Sequence, residues 1–188
     1  KIFLYKSANK YRVQACKNYN ANIVFTDAEK AFDEVKDAEK QGYKFVHPFD
    51  GVHTLQGSAT LGLEIIDQIN DMDTKIDNVL ISVGGGGLIS GMASYIKHYA
   101  PHIKVIGVEP IDSPTLFKAL AANERVILDD VGRFADGVAV KQIGALPFEI
   151  AKESVDDVIL VSNDEMCAAI KDIYEDVRSV SEPAGALS

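Results

Sequence analysis

Residues 79–91 read Val-Leu-Ile-Ser-Val-Gly-Gly-Gly-Gly-Leu-Ile-Ser-Gly, and the fold is decided there. The apolar run Val79 to Val83 predicts a buried strand. Gly84 to Gly87 form a glycine turn. Leu88, Met92, Tyr95, Ile96 and Tyr99 then recur at spacings of three and four, the period of a helix. A strand, a glycine turn and a helix start together present free backbone N–H groups and the positive end of a helix dipole to an anion. Each glycine loses roughly 0.5–1 kcal/mol more than alanine on ordering, so four in a row imply a use. A phosphate cradle is the preferred reading, and a tight turn needed for close packing is the alternative. The P-loop pattern is absent because no Lys-Ser or Lys-Thr pair follows the glycines. The dinucleotide pattern Gly-x-Gly-x-x-Gly also fails: from Gly84 it needs glycine at Ile89, and from Gly85 at Ser90. Glu109 ends the next strand about 20 residues on, where a ribose-binding acid would sit. The glycine pattern outweighs it and favours a small phosphorylated cofactor over NAD or ATP.

The composition is that of a globular enzyme-sized piece. The 188 residues are 47% apolar and 25% charged, enough for a sizeable core. A net charge of −9 and a pI near 4.9 argue against partners that are nucleic acids or anionic membranes. No run of 18 apolar residues occurs, so no membrane span is expected. Cys16 and Cys167 lack framework spacing and are read as packing residues in a reduced, cytoplasmic setting. Four histidines without a Cys-x-x-Cys give no basis for a zinc site, and no metal is expected.

In order, strands are predicted at Ile2–Tyr5, Ile23–Phe25, Phe45–Val46, Val79–Val83, Val105–Val108 and Val158–Val161. Helices are predicted over 7–19, from a Thr26-Asp27-Ala28-Glu29 capping box to Gly42, over 54–69, 88–99, 115–122 and 147–154, and after a second box at Ser162-Asn163-Asp164-Glu165. His47-Pro48-Phe49-Asp50-Gly51 is a turn and a boundary. Strand–helix alternation predicts an α/β fold of parallel sheets with helices on both faces.

Three motifs point to a known family. Ser82-Val-Gly-Gly-Gly-Gly-Leu88, with Val105-Ile-Gly-Val-Glu109 after its helix, resembles the cofactor-phosphate loop of fold-type II pyridoxal-phosphate (PLP) enzymes, the tryptophan synthase beta-like fold. Phe134-Ala-Asp-Gly-Val-Ala-Val-Lys141 and Glu175 to Leu187 are similar to the biosynthetic threonine dehydratases (threonine deaminases) more than to serine racemases or the shorter catabolic enzymes. The resemblance covers nearly the whole chain, including Phe45 to Asp50 and Gln56-Gly57. It implies two domains, with residues 1–46 part of the small one and 47–188 part of the large PLP-binding one. It implies that backbone N–H groups of Gly84, Gly85, Gly86, Gly87 and Leu88 grip the phosphate of pyridoxal 5'-phosphate. Gly137 would lie beside the pyridine ring, with Glu182 near the same site. The implied reaction is deamination of L-threonine to 2-oxobutanoate and ammonia, the first step of isoleucine biosynthesis, by a homo-oligomer acting on an amino acid. A serine/threonine dehydratase or serine racemase relative is the near alternative. A non-catalytic nucleotide- or phosphate-binding α/β module, with Glu109 on a ribose, is the distant one.

The chain departs from the family where chemistry is done. The Schiff-base lysine of the family lies in a Ser-Phe-Lys-x-Arg-Gly motif that is absent here and is expected upstream. Ser7-Ala-Asn-Lys10-Tyr-Arg12 has one residue too many and no following glycine, so Lys10 is not assigned the role. The substrate loop with its asparagine and the serine partner of the pyridine nitrogen are also missing. The chain is therefore expected to be a central piece of an enzyme, with no catalytic residue of its own. Some relatives hold a cation near the acid ending the strand; Glu109 and Asp112 are read instead as a solvated acidic turn.

Overall fold

The computed structural model describes residues 1–27 and 30–188, which divide into two compact units, Lys1–Val46 and His47–Ser188. In the first, β1 (Ile2–Tyr5) and β2 (Ile23–Thr26) pair in parallel, Ile2 opposite Ile23. Helix α1 (Lys10–Asn18) begins later than the pattern suggested, because Asn9 Oδ1 accepts the Tyr11 amide at 2.9 Å and so caps the helix there. Helix α2 (Ala31–Lys40) follows. The first capping-box reading includes residues 28–29 and lies outside the described residues. Phe45–Val46 is not a strand, since two residues without a neighbouring strand find no ladder partner.

The second unit contains α3 (Val52–Asp71), β3 (Asn78–Ser82), α4 (Gly87–Tyr99), β4 (Lys104–Pro110), α5 (Thr115–Ala122), α6 (Ala145–Ser154), β5 (Asp157–Val161) and α7 (Asn163–Val177). Short 3-10 turns occur at Asp136–Val138 and Pro183–Ala186. The three strands form a parallel sheet in the order β3-β4-β5. Strand alternation sorts its faces. Ile81, Val83 and Val105 face a core shared with Ile89, Met92, Ala93 and Ile96 of α4, Leu116 of α5 and Phe148 of α6. Val108 and Val161 on the other face pack against Met166 of α7, Ala184 and Leu187.

The buried stripe of α4 is Ile89-Met92-Ala93-Ile96, which takes Met92 and Ile96 from the period read in the sequence and adds Ile89 and Ala93. Leu88 and Tyr99 are exposed. Both sets have helical spacing, and the packing of α3 selects the buried one. A Cβ on Gly91 would lie 2.5 Å from the Leu55 carbonyl oxygen, and one on Gly62 would lie 3.4 Å from that of Met92, so the two helices meet through glycines. Gly57, on the same α3, has nothing within 4 Å of its would-be Cβ. Gly57→Ala is therefore expected to stabilise the fold by about 0.5–1 kcal/mol, measured as a raised Tm, because only helix propensity changes.

The second capping box forms as read. Ser162 Oγ accepts the Glu165 amide at 3.3 Å, and Glu165 Oε2 accepts the Ser162 amide at 2.7 Å. Cys16 is partly buried, but Cys167 lies exposed on α7, so the packing reading fails for it. No helix among the described residues is long and apolar enough to cross a membrane.

Candidate functional site

The glycine turn holds its carbonyls and leaves its amides open. The Gly84 carbonyl oxygen lies 3.0 Å from Thr115 Oγ1, that of Gly85 accepts the Gly144 amide at 3.0 Å, and that of Gly86 accepts the Ser90 amide at 3.0 Å. Among the described residues the amides of Gly84, Gly85, Gly86, Gly87 and Leu88 donate no hydrogen bond. Gly85, Gly86 and Gly87 are buried nonetheless. Buried N–H groups are almost always paired, so the three buried ones, at Gly85, Gly86 and Gly87, with open amides on either side, make an arrangement suited to an anion. They stand at the N-terminus of the 13-residue α4, whose dipole adds positive potential.

Backbone and side-chain atoms of Phe49 and Val138 fill the space where Cβ atoms would be. A Cβ on Gly85 would lie 2.1 Å from the Phe49 ring, one on Gly87 2.5 Å from the Phe49 carbonyl oxygen, and one on Gly84 2.9 Å from Val138 Cα. Gly86 has φ 85°, a left-handed conformation suited to glycine, with Ile143 and Pro147 behind it. The glycines thus permit close packing on one side and leave bare amides on the other.

The 3-10 turn carrying Gly137 adjoins Gly84 through Val138. A Cβ on Gly137 would lie 3.3 Å from Glu182 Oε1. The structure therefore gathers the glycine turn, Gly137 and Glu182 into one region. Lys10 is exposed at the start of α1, in the first unit.

Glu109 is not a solvated acid, nor is it turned toward a ribose or a cation. It is 0% exposed. Its Oε1 lies 2.9 Å from Thr115 Oγ1 and accepts the Leu116 amide at 2.8 Å, while Oε2 accepts the Phe117 amide at 2.9 Å. Burial pushes its pKa up against those hydrogen bonds. Strand alternation explains the position: Glu109 falls on the same face as Val105 and Gly107, under α5. No group of three His, Cys, Asp or Glu suited to a metal occurs among the described residues.

Residues 47–51 form a strap over the glycine turn, a role the sequence did not suggest. His47 Nδ1 accepts the Asp50 amide at 2.9 Å and the Phe49 amide at 3.3 Å. Asp50 in turn caps α6. Burial holds the His47 pKa below its ordinary 6.5, and Asp50 opposes that. The unfolded chain then binds the proton more tightly than the folded one. The contribution of neutral His47 is accordingly complete above about pH 6.5 and lost as pH falls through the lower folded value. Protonation also removes the acceptor for both amides. Hydrogen-exchange protection of the Phe49 and Asp50 amides is expected to fall below that pH, and His47→Gln should remove the dependence.

Residues 1–188 match the family described as "Pyridoxal-phosphate dependent enzyme". The mitochondrial threonine dehydratase of Schizosaccharomyces pombe is 46% identical over 177 residues, covering 92% of this chain and 29% of that protein. The biosynthetic L-threonine dehydratase of Pasteurella multocida is 42% identical over 192 residues, covering 100% and 36%. The processed form of threonine deaminase isoform 2 from Solanum lycopersicum superposes with a TM-score of 0.91 at 36% identity, covering 99% of this chain and 51% of that one. Maize serine racemase gives 0.91 at 30% identity, covering 99% and 56%. The chain spans about a third of the length of the threonine dehydratases named here. With a parallel α/β fold, a glycine turn of open amides and a family match over residues 1–188, the chain belongs to the pyridoxal-phosphate dependent enzymes.

Proposed function

We propose that this chain supplies the cofactor-phosphate cradle of an enzyme that deaminates L-threonine to 2-oxobutanoate and ammonia, in isoleucine biosynthesis. The observation that carries the reading is the row of five unpaired amides at Gly84–Leu88, with the carbonyls of Gly84, Gly85 and Gly86 tied back. These residues fit the phosphate of pyridoxal 5'-phosphate: an anion satisfies the donors that no protein acceptor meets, three of them buried. The cofactor, once bound, supplies the electron sink for loss of the α-proton and the β-hydroxyl. The chain's own residues hold and orient. Gly84 to Leu88 fix the phosphate end. Gly137, whose Cβ would lie 3.0 Å from Ala184 Cβ and 3.3 Å from Glu182 Oε1, would adjoin the pyridine ring, with Glu182 near the same site. Phe49 and Val138 close the turn against water.

In this reading residues 1–46 belong to the small domain and 47–188 to the large one, and the lysine that does the acid–base work lies outside the chain. Homo-oligomeric assembly and a cytoplasmic setting are part of the same proposal, although relatives carry mitochondrial and chloroplastic names. The resemblance to maize serine racemase favours one second reading, a serine-directed relative.

The test is titration of the full-length protein with pyridoxal 5'-phosphate, read as a visible-edge absorbance band, followed by assay of 2-oxobutanoate from threonine and pyruvate from serine. Cofactor binding with 2-oxobutanoate as the preferred product supports the proposal. Binding of NAD without pyridoxal phosphate defeats it. The 188-residue chain alone is expected to yield no 2-oxobutanoate.

A further inference from the structure

Thr115 has one hydroxyl proton and two acceptors within reach. Its Oγ1 lies 3.0 Å from the Gly84 carbonyl oxygen and 2.9 Å from Glu109 Oε1. An ionised Glu109 takes that proton, and the Gly84 carbonyl then meets only a hydroxyl oxygen, acceptor against acceptor. Thr115 and Glu109 are both 0% exposed, so water does not relieve the conflict. A proton on Glu109 does. Oε2 accepts the Phe117 amide and is the carbonyl oxygen of the acid. Oε1 then carries the hydrogen toward Thr115 while one of its lone pairs still meets the Leu116 amide.

We propose that Glu109 is a positioning residue held as a neutral acid: its O–H donates to Thr115 Oγ1, the Thr115 hydroxyl donates to the Gly84 carbonyl oxygen, and the peptide joining Gly84 to Gly85 is thereby locked with its N–H on the anion side. A peptide plane is rigid, so fixing the carbonyl at one end fixes the direction of the amide at the other. Thr115 thus links the first residue of α5 to the first glycine of the turn. The groups facing Glu109 are the Thr115 hydroxyl and the amides of Thr115, Leu116 and Phe117; burial raises its pKa and these hydrogen bonds oppose that, with no charged neighbour contributing. The assignment rests on the phosphate-cradle reading for its ligand, but the locked peptide exists without the ligand.

The experiment uses the full-length protein with carbon-13 in glutamate side-chain carboxyls and nitrogen-15 in glycine. One carboxyl resonance, identified by its absence from Glu109→Gln, is expected to keep a neutral-acid shift from pH 5 to pH 8. Titration near the ordinary 4.5 overturns the proposal. Thr115→Val is expected to move the Gly85 amide resonance of the cofactor-free protein and to weaken pyridoxal 5'-phosphate binding about tenfold. Thr115→Ser should restore both, which a merely structural role in α5 does not require. An unmoved Gly85 amide in a folded Thr115→Val protein also overturns the proposal. Should Thr115→Val not fold, the Glu109 titration in the unsubstituted protein decides by itself. Failure of the unsubstituted protein to bind pyridoxal 5'-phosphate removes the cradle reading, while the Gly85 and Glu109 resonances still decide the positioning.

Discussion

Gly87→Ala is expected to destabilise the large unit by about 3 kcal/mol, the upper end of overpacking penalties, and to abolish retention of pyridoxal 5'-phosphate. The added methyl would lie 2.5 Å from the Phe49 carbonyl oxygen and 2.9 Å from its Cα. Both obstacles are backbone, and neither side yields readily. Gly87 is the first residue of α4, and Phe49 is held by His47 Nδ1 and by its neighbour Asp50, which is bonded to α6. Relief requires α4 or the strap to shift, and either motion disperses the amides of Gly84 to Leu88. Gly85 differs in degree. A Cβ there meets the Phe49 ring at 2.1 Å, a side chain that can rotate away. Gly85→Val has to expel the Phe49 ring as well as block the anion. Thermal unfolding and cofactor occupancy of Gly87→Ala, beside Gly57→Ala as the open-space control, measure the difference. A Gly87→Ala protein with the parent Tm and full occupancy would show that the strap does not press on the turn.

What the sequence made legible was whatever local pattern alone determines. The apolar run before Gly84 gave β3, and Ser162 with Glu165 gave the start of α7, because a cap is settled by residues three apart. The period Leu88, Met92, Tyr95, Ile96 and Tyr99 gave the helix α4 but not its whole buried face, because Ile89 and Ala93 fit a helical period equally well. Only the approach of Gly62 and Gly91 across α3 and α4 decides which face is buried, and that is a tertiary fact. Glu109 was misread although a signal existed. Val105, Gly107 and Glu109 alternate, so a strand with Val105 buried places Glu109 inside. The charge of the residue argued for solvent, and the three hydrogen-bonding residues that make burial tolerable, Thr115, Leu116 and Phe117, lie in a different element. The strap at His47–Gly51 read as a turn because nothing local shows that Phe49 covers Gly85 and Gly87, 36 and 38 residues away. The row of amides was legible in kind, since four glycines before a helix say what is offered. Which carbonyls tie the turn back was not, since Thr115 and Gly144 come from distant segments.

Asp50→Ala is expected to lower stability by about 2 kcal/mol and to weaken cofactor binding about tenfold, although Asp50 donates nothing to the anion. Helix α6 has Gly144 at its N-cap and so lacks a capping side chain of its own. Asp50 supplies one from 95 residues away. Its Oδ2 accepts the Ala145 amide at 2.7 Å, and Oδ1 accepts the Leu146 amide at 3.2 Å and the Gly51 amide at 2.7 Å. The carboxylate also opposes the dipole at that helix start. It can approach because Gly144 has no Cβ; one built there would lie 3.0 Å from Asp50 Cγ. Alanine leaves three amides without their acceptor, and the consequences run in two directions. On one side α6 loses the anchor that sets Pro147 behind Gly86 and the Pro147 carbonyl opposite Ser90 Oγ, 2.8 Å away. On the other side the strap loses its tie, and Phe49 is free to leave Gly85. Asp50→Asn keeps one acceptor oxygen and loses the charge, so its effect should fall between the parent and alanine. If capping is the mechanism, the two variants should order the same way in Tm, in hydrogen-exchange protection of the first turn of α6 and in cofactor affinity. An Asp50→Ala protein that loses helix protection but holds pyridoxal 5'-phosphate as tightly as the parent would separate the strap from the cradle and confine Asp50 to the folding of α6.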